Sequence, residues 1–327
     1  MVKSDEVKTL NLLVTGGLGF IGSNFIRYML DKYPDSRIIN LDKKTYAGNP
    51  DNLKDIENNT HYSFVRGDIC DKNVVNKLMQ KVDYVVHFAA ESHVDRSIED
   101  ASLFVKTNVL GTSTLLDSAL RHNTKKFIHI STDEVYGSRM EGSFKETDIL
   151  TPSSPYSSSK AGSDLLAQSY YITHKLPVII TRCTNNFGPY QYPEKLIPLF
   201  ITNILENKKV PVYGTGKNVR DWIYVLDHCK AIDFILRNGR IGEIYNIGGG
   251  TEKTNLEITK RILELLGKDE SMVDYVKDRP GHDLRYSLDC SRLKSLGWTT
   301  EHDFDSALEY TVKWYIENRW WWKKLKH

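Results

Sequence analysis

Cysteine is scarce in this chain and badly spaced for chemistry of its own. There are four in 327 residues: Cys70, Cys183, Cys229 and Cys290. No two form a C-x-x-C pair, which argues against a zinc knuckle, and the wide spacing does not suit a disulfide scaffold. Reduced, partly buried thiols in a cytoplasmic protein are the expectation. The ten histidines fall in no H-E-x-x-H or similar ligand spacing, so no metal is expected. An excess of charge of one sign is also missing. The formal net charge is +2, which gives no electrostatic reason to expect nucleic acid as a partner. No apolar run approaches the roughly 18 residues of a membrane span. Residues 1–9 are polar and charged, unlike a signal peptide. Internal repeats and low-complexity stretches are absent as well.

What is present suffices for a large core. Hydrophobic residues make up 40% of the chain, enough for one large or two modest domains. Apolar runs at 10–15, 37–41, 62–65, 84–88, 126–130 and 178–182 read as strands. Amphipathic stretches at 20–32, 73–80, 103–122 and 157–174 read as helices between them. This alternation predicts an α/β fold, a doubly wound parallel sheet of Rossmann type with its ligand site at the carboxyl ends of the strands. After Asn186 the texture changes, with Pro189, Pro193 and Pro198 and the glycines at 214, 216 and 248–250 marking loops. Helices are expected at 195–207, 255–266 and 303–322. The second half thus reads as a smaller α/β substrate-binding cap. The expected division is 1–188 for the dinucleotide domain, with returning segments at 221–249, and 189–220 plus 250–327 for the cap. Sheet strands are expected to return near 221–225 and 244–247.

The first strand runs into TGGLGFIG (15–22). Glycines 17, 19 and 22 satisfy G-x-G-x-x-G, and 16, 19 and 22 satisfy G-x-x-G-x-x-G. Either register lets the backbone approach a pyrophosphate where a strand turns into a helix. Asp42 ends the next strand, twenty residues beyond Gly22. A carboxylate there accepts from ribose hydroxyls and repels a 2′-phosphate, favouring NAD over NADP, although Lys43 and Lys44 are basic neighbours of the opposite tendency. Asp68, after the third strand, and Phe88-Ala89-Ala90, closing the fourth, are ordinary strand-end loops if read alone. Beside the glycine turn they favour a cofactor site.

Tyr156 and Lys160 are four residues apart on one helical face. An ammonium beside a phenol favours phenolate, so the pair is expected to take a hydroxyl proton while hydride leaves the same carbon. Ser131 to Gly137 reads STDEVYG. In isolation it is a helix cap. Beside a redox site, the adjacent carboxyls of Asp133 and Glu134 are suited to hold different protonation states as an acid and a base.

These stretches, together with LDKKTYAGN (41–49), FAAESHVDRSI (88–98), PYSSSKA (155–161), TRCTNNFGPYQYPEKLIP (181–198), NVRDWIYVLDH (218–228), YNIGGG (245–250) and DRPGHDLRY (278–286), resemble the extended short-chain dehydrogenase/reductase superfamily. Within it they resemble the dTDP-glucose 4,6-dehydratases. The resemblance covers most of the chain. It implies that Tyr156 deprotonates the glucose 4-hydroxyl as hydride passes from C4 to NAD. Glu134 then removes the C5 proton, Asp133 protonates the departing 6-hydroxyl, and NADH returns hydride to C6. Thr132 would bond near O4 and Lys160 would hold the cofactor ribose.

The resemblance further implies cofactor contacts from Gly16, Gly19, Phe20, Ile21, Gly22, Asp42, Lys43, Thr45, Asp68, Ile69, Phe88, Ala89, Ala90, Ser92, Thr107, Tyr156, Lys160 and Asn186. For the nucleotide sugar it implies Ser92, Thr132, Asn185, Glu194, Lys195, Leu196, Pro211, Tyr213, Arg220, Asn255, Arg279 and His282. Read locally, Arg220 and Arg279 are as well explained by ion pairs with Asp221 or Asp278 as by a diphosphate. Ser158, Thr184 and Phe187 depart mildly from the family pattern and bear on fine substrate preference. The tryptophans at 314 and 320–322 read as a helix packing on the cap, and 323–327 as a solvated end. Helices near 103–122 and 157–174 imply a homodimer. The competing readings are a 4,6-dehydratase of UDP- or CDP-glucose, a nucleotide-sugar 4-epimerase, which has no need of Asp133-Glu134, and a non-catalytic NAD(H)-binding regulator.

Overall fold

A computed structural model of the chain describes residues 9–278 and 281–326. Seven parallel strands form the central sheet: β1 (Asn11–Thr15), β2 (Arg37–Asp42), β3 (Tyr62–Arg66), β4 (Tyr84–His87), β5 (Lys126–Thr132), β6 (Val178–Cys183) and, from far along the chain, β10 (Ile244–Ile247). Their spatial order is β3-β2-β1-β4-β5-β6-β10. The order reverses between β1 and β4, so both strands point their carboxyl ends at one crevice.

Alternate residues feed two apolar layers. Leu12, Val14, Ile128, Ile130 and Ile179 join Phe25, Met29, Ile232 and Ile235 from the helices Phe20–Lys32 and Val225–Asn238. Leu13, Val85, Phe127, Val178 and Ile180 join Val75, Leu115, Leu116 and Ala167 from the helices on the other face. Both faces are covered, which is why these strands read as near-continuous apolar runs.

Most expected elements form within a residue or two of their limits. The expected helix over 103–122 is broken. Val94–Glu99 and Ala101–Phe104 precede a π-helical stretch, Val105–Gly111, before regular helix resumes over Thr112–Arg121. Within that stretch the Asn108 carbonyl is held by the Thr112 hydroxyl at 2.6 Å. The Asn108 side chain bridges the Glu91 carbonyl and the Ser159 hydroxyl.

Segment 221–225 does not return to the central sheet. It belongs to β9 (Val219–Tyr224), between β7 (Asn185–Phe187) and β11 (Glu252–Thr254) in a small sheet of its own. Trp222 is thereby buried with Phe187, Phe200, Ile258 and Leu308 in the cap core. A second small pair, β8 (Val210–Tyr213) with β12 (Val273–Val276), completes the cap strands. The last expected helix is also split, into Phe304–Glu317 and Arg319–Trp322, by the non-helical Asn318. The tail beyond is not simply solvated: Lys324 pairs with Asp51 and Lys326 with Glu206. Among the described residues, no helix is long and apolar enough to cross a membrane. All four cysteines are free.

Candidate active site

The glycine turn is built by close approach. Gly16 has φ +74°, and a Cβ there would lie 2.6 Å from the Ala89 amide nitrogen. A Cβ on Gly22 would lie 2.5 Å from the Gly16 carbonyl oxygen and 2.9 Å from Gly17 Cα. These are backbone atoms that cannot swing aside. Gly22→Ala is therefore expected to destabilise the chain by about 1–3 kcal/mol, read as a lower urea midpoint; an unchanged midpoint would refute this tight packing.

Asp42 ends β2 beside the turn. Its carboxylate accepts from the Leu18 N–H at 3.0 Å and the Lys44 N–H at 2.7 Å. Burial pushes its pKa up, against those two hydrogen bonds. Of its two basic neighbours, Lys43 is paired with Asp68 at 2.8 Å.

One cleft runs from this turn to the end of β5. It is lined by Gly16, Gly19 to Gly22, Asp42, Lys43, Thr45, Asp68, Ile69, Phe88, Ala89, Ala90, Ser92, Thr107 and Asn186. Thr132, Asp133, Glu134, Tyr156 and Lys160 line it too, with Asn185, Glu194 and Lys195. Residues the sequence reading passed over also line it, among them Asn49, Asn52, Glu91, Cys183, Tyr190 and Trp321. Of these only Trp321 carried a visible signal, a tryptophan cluster in a chain with six.

The reactive end is organised by two short motifs. Thr132 caps the turn Asp133–Tyr136, its hydroxyl accepting from the Glu134 N–H at 3.3 Å. Capping thus falls to Thr132 rather than to the carboxyls. Tyr136 anchors the turn below, donating to Asn246 Oδ1 at 2.9 Å and accepting from Arg182 at 2.8 Å. Asp133 is 2% exposed, and its Oδ2 has no hydrogen-bond partner among the described residues. Burial, reinforced by Glu134 and opposed by Arg220, raises its pKa well above the usual carboxyl range. A raised pKa favours the protonated form, which is the form a proton donor needs.

Helix Pro155–His174 begins with a Ser154–Ser157 capping box and Pro155 in its first turn, which fixes where Tyr156 and Lys160 enter the cleft. Lys160 Nζ donates to the Ile130 carbonyl at 2.7 Å, and burial lowers its pKa to about 8. Tyr156 departs from the expectation of a lowered phenol pKa. Burial first, then Glu134 and Cys183, push it well above its ordinary value, against the hydrogen bond to Thr132.

From the cap side, Glu194 accepts from the Tyr46 hydroxyl at 3.0 Å and Lys195 donates to the Ser92 carbonyl at 3.0 Å. Both cross to loops of the dinucleotide half. Leu196, Pro211, Tyr213, Arg220, Asn255 and His282 are not brought to the cleft wall. Tyr213 and His282 instead meet edge-on, with ring centres 6.3 Å apart. Arg220 makes no pair with Asp221. It donates to the Val219 and Asp283 carbonyls, lies over the Tyr286 ring at 4.3 Å, and acts on Asp133 through its charge. Arg279 lies outside the described residues.

Comparison with known proteins extends this geometry. Residues 13–311 match the family model described as GDP-mannose 4,6 dehydratase. The chain is 53% identical to the dTDP-glucose 4,6-dehydratase of Streptomyces niveus, over 97% of this chain and 96% of that one. It is 54% identical to the low-salt glycan biosynthesis protein Agl12 of Haloferax volcanii, over 94% and 99%. Among solved structures, DesIV, the dTDP-glucose 4,6-dehydratase of Streptomyces venezuelae with NAD bound, superposes with a TM-score of 0.95 at 53% identity, covering 97% of this chain and 100% of that one.

Proposed function

The chain belongs to the dTDP-glucose 4,6-dehydratase family of extended short-chain dehydrogenases/reductases, and we propose from this that it converts dTDP-glucose to dTDP-4-keto-6-deoxyglucose and water, with NAD as its cofactor. The observation that carries the reading is the buried Asp133 next to Glu134, in the same cleft as Tyr156 and Lys160. Oxidation alone, or epimerisation, has no use for that carboxyl pair.

The residues fit NAD. The tightly packed glycine turn opens helix Phe20–Lys32 onto the cleft, where backbone N–H groups can meet a pyrophosphate, and Asp42 stands at the end of β2 to receive ribose hydroxyls. When bound, NAD supplies a positive ring and a hydride acceptor that takes hydrogen from C4 and gives it back at C6. The protein's own groups do the rest. Tyr156 accepts the 4-hydroxyl proton. Because burial disfavours its phenolate, the positive charge on Lys160 is the protein's counterweight. Once C4 is a ketone, the C5 proton is acidified and Glu134 removes it. Asp133 gives its proton to the 6-hydroxyl, which departs as water. Glu134 then returns a proton to C5.

The chain is proposed to act as a homodimer in the cytoplasm. Leu103, Val105, Leu110, Leu165 and Ile172 are between 41% and 66% exposed, on two neighbouring helical stretches. Five large exposed apolar side chains on stretches that pack together favour a partner, and identical copies are the simplest one.

The test uses dTDP-glucose deuterated at C4, incubated with NAD and the protein and read by mass spectrometry. Loss of one water with deuterium recovered at C6 is expected. An isomer of unchanged mass would make the protein an epimerase, and unaltered dTDP-glucose would refute the substrate.

A further inference from the structure

The tryptophan-rich end of the chain does more than pack on the cap. Trp321 is fully buried and lines the cleft. Its indole N–H donates to Asn52 Oδ1 at 2.8 Å. Asn52 in turn donates from Nδ2 to the Leu18 carbonyl at 2.8 Å. Leu18 sits inside the glycine turn, and its own N–H donates to Asp42 at 3.0 Å. A single line of hydrogen bonds therefore joins the last turn of the chain to the turn that cradles a pyrophosphate.

The segment is tied down on both halves of the molecule. Lys324 pairs with Asp51 on the dinucleotide side. On the cap side, the Tyr192 hydroxyl donates to the Leu325 carbonyl at 3.2 Å, and Lys326 donates to Asn203 at 2.7 Å. Between these ties, the Trp321 ring meets Tyr190 and Trp314 edge-on, with centres 5.7 and 5.2 Å apart.

We infer that residues 319–326 form a strap across the glycine-turn end of the cleft, and that Trp321, acting through Asn52, is a positioning residue for retention of the dinucleotide. The inference rests on the dehydratase reading above. Both ends of the Asn52 amide are committed in a buried setting, so a glycine turn that shifts to release its ligand leaves buried polar groups unpaired. The proposed reaction restores its cofactor at each cycle, so the cofactor has no need to leave. Strap closure and dinucleotide binding must then stabilise each other reciprocally.

The experiment measures release of radiolabelled NAD from the full chain, chased with unlabelled NAD, alongside the thermal midpoint. Trp321→Phe removes the indole N–H and leaves a smaller aromatic ring, so the thermal midpoint reports the lost packing separately from release. Release about tenfold faster is expected, the scale of one buried hydrogen bond. Asn52→Ala, which also breaks the bond to the Leu18 carbonyl, should release at least as fast, and the double variant should be no faster than Asn52→Ala alone. Release unchanged in Trp321→Phe, even with a lowered midpoint, would make Trp321 merely structural and overturn the strap; so would additive effects. If the variants do not fold, amide exchange in the unaltered chain decides. Exchange across 319–326 should slow on saturation with NAD, and identical exchange overturns the inference. An unaltered chain that binds no NAD would sink the dehydratase reading and the strap with it.

Discussion

Tyr156→Phe is expected to lower turnover of dTDP-glucose by roughly 10²–10⁴-fold, the range of a positioned acid–base group, while NAD still binds. The substitution removes one oxygen from a ring that is 8% exposed and packs edge-on against Phe104, with centres 6.3 Å apart. Packing is preserved, so stability should hardly move. What is lost is the atom that receives the 4-hydroxyl proton. Burial and Glu134 hold the phenol pKa high, and the Lys160 ammonium in the same cleft is expected to favour phenolate. Rates should therefore also fall as Lys160 loses its proton near pH 8. Turnover of Tyr156→Phe within a few-fold of the parent, measured on product by mass spectrometry, would remove Tyr156 from the chemistry.

Asp133→Asn should slow loss of water by about 10²-fold or more and leave the first oxidation largely intact, so that reduced cofactor accumulates in the absorbance. The sign of the pH effect follows from the direction of the shift. Asp133 acts as an acid and must be protonated. Its pKa is raised, so the protonated fraction persists above the ordinary carboxyl range and falls as pH rises through the raised value. Wild-type elimination should show that descending limb, and Asp133→Asn should lack it. If elimination and oxidation slow together in the variant, Asp133 is positioning the sugar rather than donating a proton.

The central sheet was legible in the sequence because buried parallel strands are apolar on both faces, and β1, β5 and β6 read as continuous runs. Helix Phe20–Lys32 formed at its expected limits because the glycine turn starts it. The misreadings share a cause, which is partners distant in sequence. The run 221–225 has the texture of a core strand, yet Trp222 pairs with Asn185 in the small sheet. The π-helical stretch at Val105–Gly111 sits where Asn108 is held by Glu91 and Ser159, contacts that no local periodicity reveals.

At the site, motif spacing picked out Asp133, Glu134, Tyr156 and Lys160, and all four line one cleft. The direction of the Tyr156 shift escaped because spacing says nothing about burial. Trp321 escaped because its partner, Asn52, lies on the opposite half of the molecule.

The position of β10 has a consequence for how this protein is made and inherited. The strand lies beside β6, pairing Ile244 with Ile180 and Ile247 with Cys183. A ribosome must therefore synthesise most of the chain before the outer side of β6 is covered. Until then β6, whose six residues are all buried in the finished fold, presents unpaired backbone groups. A nascent chain stalled before residue 244 exposes a sticky edge of the kind that drives misassembly. The same topology denies the nucleotide-binding half the status of a contiguous gene segment. Recombination between relatives that exchanged it at a single crossover would leave its outermost strand behind in the other parent.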